Sequence, residues 1–176
     1  MHPNNVILVG PMGVGKTTVG KALAKLAHMQ FVDLDNELEE RTGVSVTTIF
    51  EIEGEEGFRR RESALLEEMA AMQGSVIATG GGAVVREENR RLIRRMGLVV
   101  YLAAPVSRLL RRTRNSRNRP LLNTPDPEKT LTALLAERDP LYREVADIVI
   151  RVDDRSPQSF ARRLLEEIRT HENPVG

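Results

Sequence analysis

Short apolar runs alternate along the chain with segments whose apolar residues recur at helical spacing. Several of these runs are apolar almost throughout, which is typical of strands covered on both faces of a sheet. The alternation therefore predicts an α/β fold in which crossover helices join parallel strands in the right-handed sense. The predicted strands are residues 6–10, 30–33, 75–80, 98–103 and 147–152.

Two later helices have strong start signals. Asp126-Pro127 and Ser156-Pro157 each put a capping side chain directly before a proline, and proline is favoured at the first helical position. Residues 114–127 form the least regular segment, with three Asn, three Pro and three Arg around two leucines. Long polar segments of this kind often close over active sites, so we expect a lid at about residues 112–126.

Composition narrows the class of protein. A chain of 176 residues that is 40% hydrophobic suits one compact domain, here taken as residues 1–176. The net charge of +1 gives no bulk attraction to nucleic acids or anionic membranes. The absence of cysteine excludes disulfides and thiolate chemistry and fits a reducing cytoplasm. No signal peptide or transmembrane run is present in the sequence, so a soluble cytoplasmic protein is expected.

The most specific motif is Gly-Pro-Met-Gly-Val-Gly-Lys-Thr at residues 10–17. It follows a predicted strand and opens a predicted helix, which is the context of a phosphate-binding loop. Glycines allow backbone N–H groups to surround a phosphate, and the helix N-terminus adds partial positive charge. Lys16 is then expected to bridge the β- and γ-phosphates, and the Thr17 hydroxyl to bind Mg²⁺. Thr18 is more suited to supporting the loop. A chance glycine-rich turn is the alternative.

Three consecutive glycines, Gly80, Gly81 and Gly82, end the third predicted strand. Ligands of parallel sheets gather at the carboxyl ends of the strands, which is also where the phosphate loop lies. Bare backbone at this edge can approach a second substrate closely. A tight turn that requires positive φ is the alternative reason for glycine.

Two carboxylates follow the second predicted strand. Asp33 and Asp35 are two residues apart, so on an extended backbone both would point to one face. One could reach Mg²⁺ through water while the other contacts the phosphoryl acceptor. Helix capping by Asp35 is the alternative. The third and fourth strands end without the acid that hydrolytic nucleotidases use for Mg²⁺.

Arginines indicate an anionic acceptor. The run Phe58-Arg59-Arg60-Arg61-Glu62 is predicted at the start of a helix, where positive charge is locally unfavourable. Arg59 and Glu62 share a helix face, so the glutamate can orient the guanidinium for a bidentate grip on a carboxylate. Arg60 or Arg61 is assigned to a solvated face.

A second basic cluster leads into the irregular segment. Because aromatic residues make up only 3% of the chain, stacking on nucleic-acid bases is disfavoured. A lid arginine that closes on the transferred phosphate explains the cluster better. Its members are Arg108, Arg111, Arg112, Arg114, Arg117 and Arg119.

Taken in order, these motifs resemble those of shikimate kinases over nearly the whole chain. The phosphate loop is shared widely among kinases, whereas the combination is much more specific. The matching stretches are residues 10–18, Asp33-Leu34-Asp35, Phe58-Arg59-Arg60-Arg61-Glu62, residues 80–82, Arg119-Pro120-Leu121-Leu122 and Arg138-Asp139-Pro140-Leu141-Tyr142.

The resemblance implies a three-layer α/β/α P-loop fold with a five-stranded parallel sheet in the order 2-3-1-4-5. It also implies ATP as co-substrate and Mg²⁺ as cofactor. Thr17 and Asp33 would serve the metal, Lys16 and Arg119 the phosphates, and Arg112 and Arg155 the adenine. The residues implied for ATP are Gly13, Val14, Gly15, Lys16, Thr17, Thr18, Arg112, Arg119 and Arg155.

On the acceptor side, the resemblance implies shikimate bound in a region of about residues 33–61. Asp35 would meet the ring hydroxyls, including the attacking 3-hydroxyl, while Arg59, Gly81 and Arg138 would bind the carboxylate beside Gly80 and Gly82. A monomer is expected, with shikimate and ATP as its partners and no nucleic acid or membrane. Another small-molecule P-loop kinase, such as a gluconate kinase, and a nucleotide-sensing switch are the two rival functions.

Overall fold

The computed structural model describes residues 4–114 and 122–174. Its centre is a sheet of five parallel strands in the order β2-β3-β1-β4-β5, as predicted. In chain order the elements are β1 (Val6–Val9), α1 (Lys16–Ala27), β2 (Gln30–Asp33), α2 (Leu34–Thr42), α3 (Val46–Met69), β3 (Ser75–Ala78), α4 (Glu87–Met96), β4 (Leu98–Ala103), α5 (Val106–Thr113), α6 (Pro127–Val145), β5 (Ile148–Arg151) and α7 (Pro157–Glu172).

Helices cover both faces of the sheet because successive strand residues point to opposite sides. Ile7 and Val9 face a core completed by α2, α3, α4 and the end of α6. Leu8 faces a second core formed with α1, α5 and α7. All three side chains are inaccessible to solvent, which explains why the predicted strands are apolar almost throughout.

Some predicted boundaries differ from the structure by one or two residues. β1 ends at Val9 because Gly10, with φ of 149°, leaves the strand and enters the phosphate loop. β3 ends at Ala78, although the Thr79 amide still donates to the Leu8 carbonyl at 3.1 Å. β5 is shortened at both ends to Ile148–Arg151.

The two predicted helix starts are confirmed. The Asp126 carboxylate accepts from the Lys129 amide at 3.2 Å, and the Ser156 hydroxyl accepts from the Ser159 amide at 3.1 Å. A proline follows each cap within the first turn, so these side chains satisfy N–H groups that a helix start leaves free.

The arginine run does not begin a helix, which corrects the sequence-based expectation. It lies within α3, where Gly54 (φ 72°, ψ 179°) interrupts the helical backbone. The first turn after this kink contains Glu55 and Glu56 instead, and acidic residues suit the positive end of the helix dipole. Arg59 follows one turn later.

The Asn5 side chain forms hydrogen bonds to three chain segments at the amino end of the sheet. Its buried side-chain amide donates to the Met72 and Met96 carbonyls at 2.7 and 2.9 Å and accepts from the Ser75 amide at 3.0 Å. It therefore satisfies three backbone groups in the interior, which are costly to leave without partners.

We expect Asn5→Ala to lower the free energy of unfolding by about 2 kcal/mol or more, because two buried carbonyls and one amide lose their hydrogen-bond partner. Urea denaturation measures the change. The control is Asn4→Ala, since Asn4 is exposed and should change stability by less than about 0.5 kcal/mol. Equal stability of the two variants would refute this role for Asn5.

Within residues 4–114 and 122–174, none of the helices combines the length and apolar character that crossing a bilayer requires.

Candidate active site

A cavity of about 340 Å³ opens at the carboxyl ends of the central strands. It is lined by the phosphate loop, the starts of α1 and α2, one face of α3, the glycine turn (residues 80–82), α5 and α6. It brings together most of the site residues predicted from the sequence: Gly13, Gly15, Lys16, Thr17, Thr18, Asp33, Asp35, Arg59, Gly80, Gly81, Gly82, Arg112 and Arg138.

Among residues 4–114 and 122–174, two predicted residues do not line the cavity. Val14 is fully buried beneath the loop, so only its backbone could serve a phosphate. Arg155 lies before α7 and donates through Nε to Asp153 Oδ1 at 3.0 Å. Arg119 is outside the described residues, as is much of the predicted lid.

The phosphate loop has the backbone conformation that its glycines predict. Gly13 and Gly15 have φ of 80° and 107°, a region that other residues rarely adopt. A β-carbon on Gly13 would lie 2.6 Å from the Thr113 side chain, and one on Gly15 would lie 3.4 Å from the Arg112 guanidinium. The loop is therefore packed closely against α5.

Lys16 extends back over the loop that precedes it. Its Nζ donates to the carbonyls of Gly10 and Pro11 at 2.6 and 3.0 Å. Because α1 begins at Lys16, the free N–H groups of the helix start face the same region as this ammonium group. The arrangement suits a bound phosphate.

Thr17 and Asp33, the two residues predicted to serve a metal, are in direct contact. The Thr17 hydroxyl donates to Asp33 Oδ2. Asp33 Oδ1 also accepts from the Asn36 amide at 3.1 Å, which makes Asp33 the N-cap of α2. The predicted alternative, capping by Asp35, is therefore wrong, and Asp35 lies in the first helical turn rather than on extended backbone. Both carboxylates nevertheless line the cavity.

Arg59 and Glu62 form the predicted pair on one face of α3. Arg59 Nη1 donates to Glu62 Oε1 at 2.9 Å, and the two residues are only 7% and 1% exposed. Such depth is unusual for charged residues without a functional role or a mutual partner. Arg61 instead pairs with Glu53 at the surface, and Arg60 is exposed, as expected of a solvated face.

The glycine turn fits tightly between these charged groups. A β-carbon at Gly80 would lie 2.8 Å from both Asp35 Oδ1 and Glu62 Oε2, and one at Gly82 would collide with the Arg59 guanidinium. Bare backbone is therefore required by close approach. Positive φ, the alternative explanation, does not apply to Gly80, Gly81 or Gly82.

Burial raises the pKa of Glu62 above its ordinary value of 4.5, and the neighbouring Arg59 charge opposes this effect. Ionisation of Glu62 is thus less favourable in the folded chain than in the unfolded chain. Its contribution to stability is greatest below pH 4.5 and is lost as the pH rises through the raised pKa.

Glu62→Gln, which cannot ionise, should avoid this loss. We therefore expect the unfolding free energy of Glu62→Gln, measured relative to wild type, to increase between pH 5 and pH 8. Denaturation with urea at several pH values measures it. A difference that is constant or that decreases with pH would contradict the raised pKa.

Arg138 approaches the glycine turn from α6 and is 5% exposed. One helical turn later, the Tyr142 hydroxyl donates to the Gly81 carbonyl at 2.5 Å. Arg138 and Arg59 thus reach the cavity from different helices, and the glycine turn lies alongside. Two guanidinium groups and a glycine-rich turn form a site suited to a carboxylate.

Several lining residues were missed by sequence reasoning. Asn36 and Glu39 follow Asp35 on α2, and their helical spacing could have indicated a shared face. The Phe50 ring packs 4.7 Å from that of Phe58, which gives the cavity an apolar wall. The full set of missed lining residues is Met12, Asn36, Glu39, Val46, Phe50, Phe58 and Thr79.

Comparison with known proteins identifies the family. The shikimate kinase family model matches residues 12–169. The chain is 54% identical to the shikimate kinase of Halorhodospira halophila over 166 residues, which is 94% of each chain. The chain belongs to the shikimate kinase family. This family membership confirms the resemblance inferred from the motifs and makes the protein a kinase that phosphorylates shikimate with ATP.

The fold agrees with the family. The solved shikimate kinase from Acinetobacter baumannii, in complex with shikimate, matches with a TM-score of 0.95 and 46% identity over 98% of this chain and 96% of that one. A gluconokinase from Sinorhizobium meliloti matches with a TM-score of 0.53 and 18% identity over 97% and 98% of the two chains. This second likeness shows a shared fold only, so the gluconate kinase alternative gains no support.

Proposed function

We propose that this family member transfers the γ-phosphoryl group of ATP to the 3-hydroxyl of shikimate, with Mg²⁺ as cofactor, in the route to chorismate and the aromatic amino acids. One observation carries the proposal. Arg59, Arg138 and residues 80–82 border the same cavity as the phosphate loop. An anionic acceptor held by the arginines would therefore lie next to the transferred phosphate.

The nucleotide phosphates bind along the loop and the start of α1. Backbone N–H groups of Gly13, Val14 and Gly15 surround them, and Thr18 supports the loop. Lys16, whose Nζ now contacts two loop carbonyls, exchanges these for phosphate oxygens. The positive charge of its ammonium group stabilises the charge that develops during transfer.

Thr17 and Asp33 fit the needs of Mg²⁺. Their contact puts a hydroxyl and a carboxylate oxygen together at the mouth of the loop. In residues 4–114 and 122–174 there is no group of three or more His, Cys, Asp or Glu side chains suited to a metal, and Mg²⁺ commonly takes one or two protein ligands, with water and phosphates completing its shell. When bound there, the ion would neutralise part of the phosphate charge.

Asp35 orients the acceptor hydroxyl toward the terminal phosphate. It lies across Gly80 from Glu62, at the edge of the carboxylate site formed by Arg59, Arg138 and Gly81. Phosphoryl transfer has a loose transition state, so bond formation to the hydroxyl is slight and correct alignment matters most. Asp35 accepts the hydroxyl hydrogen bond and receives its proton late in the transfer.

Arg119, which lies outside the described residues, stays a prediction as the lid arginine on the phosphates. The assignments of Arg112 and Arg155 to the adenine also remain predictions. Arg112 lies beside Gly15, which supports a position near the nucleotide. We further propose one domain over residues 1–176, a monomer, a cytoplasmic location, and no nucleic-acid or membrane partner.

The proposed function is tested by measuring the rate of ADP release from Mg-ATP with different phosphoryl acceptors: shikimate, quinate, gluconate and nucleoside monophosphates. Shikimate should give the highest kcat/KM by at least about 100-fold, because nucleoside monophosphates have no carboxylate, gluconate is an open chain, and quinate has an additional hydroxyl beside its carboxylate. Preference for gluconate would favour the rival kinase. Slow ATP hydrolysis that no acceptor stimulates would favour a nucleotide switch.

A further inference from the structure

Every carbonyl of the glycine turn has a hydrogen-bond donor. The Gly80 and Gly82 carbonyls accept from the Ala83 and Val85 amides, both at 3.1 Å. The Gly81 carbonyl between them accepts from the Tyr142 hydroxyl at 2.5 Å. The first two bonds are local turns, whereas the third comes from a side chain 61 residues away in the sequence.

Side chains also hold the backbone that follows the turn. Asn89, which is 2% exposed, donates to the Ala83 carbonyl at 3.0 Å. Arg90 Nη1 donates to the carbonyls of Val84 and Val85 at 2.9 and 3.0 Å. The carbonyls of six successive residues are thus occupied by protein donors, so none needs a partner from the ligand side.

Tyr142 also contacts the basic side of the site. It lies one helical turn after Arg138 on α6, and the Arg138 charge acts to lower the pKa of its phenol. The residue is 1% exposed, and its ring packs against that of Tyr101 at 4.9 Å between centroids. The hydroxyl that bonds the glycine backbone thus belongs to the same helix as an arginine that lines the cavity.

We propose that Tyr142 is a positioning residue that aligns the amide groups of the glycine turn, together with Arg138, for the carboxylate of the phosphoryl acceptor. This inference rests on the proposed function and extends it to a residue that does not line the main cavity. In a trans peptide the C=O and N–H groups point in opposite directions. Holding the Gly81 carbonyl therefore fixes the direction of the Gly82 N–H.

The hydroxyl remains a donor throughout the physiological range. Burial is the main reason that the pKa of Tyr142 rises to about 12, while the Arg138 charge acts in the opposite direction. Without this hydroxyl, the 81–82 peptide could rotate, and the buried carbonyl would need another partner. Acceptor binding would then include the free energy of ordering the turn.

Tyr142→Phe tests the proposal because it removes only the hydroxyl. We expect its KM for shikimate to rise roughly three- to tenfold, as for loss of one buried hydrogen bond. Its KM for ATP and its kcat should change by less than about twofold, since the nucleotide and the attacking hydroxyl contact other residues.

Tyr101→Phe is the matched control. Tyr101 belongs to the same ring pair and is equally buried, but its hydroxyl donates to Asp139 Oδ1 at 2.7 Å rather than to the turn. It should keep the wild-type KM for shikimate. Equal KM values for the two variants would overturn the role of Tyr142, whereas a wild-type enzyme inactive on shikimate would overturn the proposed function itself.

Fluorine NMR gives a second readout that does not use the Tyr142 variant. The chain has two tyrosines, so 3-fluorotyrosine in the Tyr101→Phe protein reports on Tyr142 alone. Adding shikimate should shift this resonance, and adding ADP without shikimate should shift it much less. A resonance that shikimate leaves unchanged would contradict the proposal.

Discussion

Asp35→Asn is expected to lower kcat by about 100- to 1,000-fold, because the amide cannot accept the proton of the attacking hydroxyl and aligns it less well. The Kd for ATP should change by less than about threefold, since Asp35 lies on the acceptor side of the cavity. Steady-state kinetics and nucleotide titration measure the two quantities. A loss of kcat that is much larger than the loss of ATP affinity is the result that assigns Asp35 to the acceptor.

Glu37→Gln provides the control for the loss of one negative charge on α2. Glu37 pairs with Arg41 on the outer face of that helix at 3.0 Å and does not line the cavity. Its turnover should equal that of wild type. An Asp35→Asn variant that loses ATP affinity and turnover to the same degree would show that Asp35 serves the nucleotide rather than the acceptor.

Arg138→Met should lower kcat/KM for shikimate by about 100-fold or more, which corresponds to about 3 kcal/mol. Methionine keeps an unbranched apolar stem but has no positive charge, so the acceptor carboxylate would lose one of its two proposed guanidinium partners. The KM for ATP should remain close to the wild-type value. Initial rates over a range of shikimate concentrations measure the effect.

Arg143→Met is the matched control for Arg138→Met. Arg143 lies on the same helix, but its Nε donates to Asp139 at 2.9 Å on the outer surface. Thermal unfolding of both variants separates a loss of stability from a loss of binding. If Arg138→Met retains wild-type kcat/KM for shikimate, Arg138 does not bind the acceptor.

The phosphate loop could be predicted from sequence because its geometry is local. Gly13, Gly15, Lys16 and Thr17 are neighbours in the chain, and the strand before them and the helix after them fix the loop conformation. Sheet order and the position of Arg59 and Arg138 at one cavity could not be obtained from spacing alone. These features came from the family resemblance, because α3 and α6 contribute to the same cavity only in the folded chain.

Predictions from local spacing failed where the backbone changed conformation. Asp33 and Asp35 were expected on one extended segment, but α2 begins at Leu34, so Asp33 became the cap and Asp35 became helical. The arginine run was likewise expected at a helix start, but it lies inside α3, one turn beyond the kink at Gly54. Tyr142 belongs to a stretch that matches the family, but nothing in that stretch indicated its bond to Gly81, because a tyrosine in a helix usually packs in the core.

The central claim is that the arginines and the glycine turn hold one carboxylate beside ATP. The most direct test is the preference of the enzyme for a charged acceptor. This preference is the ratio of kcat/KM for shikimate to kcat/KM for its neutral carboxamide, measured in wild type and in Arg138→Met. Wild type should prefer the acid by about 100-fold, and the variant by less than about fivefold. An unchanged preference in the variant would mean that the carboxylate binds elsewhere, and the proposed acceptor site would be wrong.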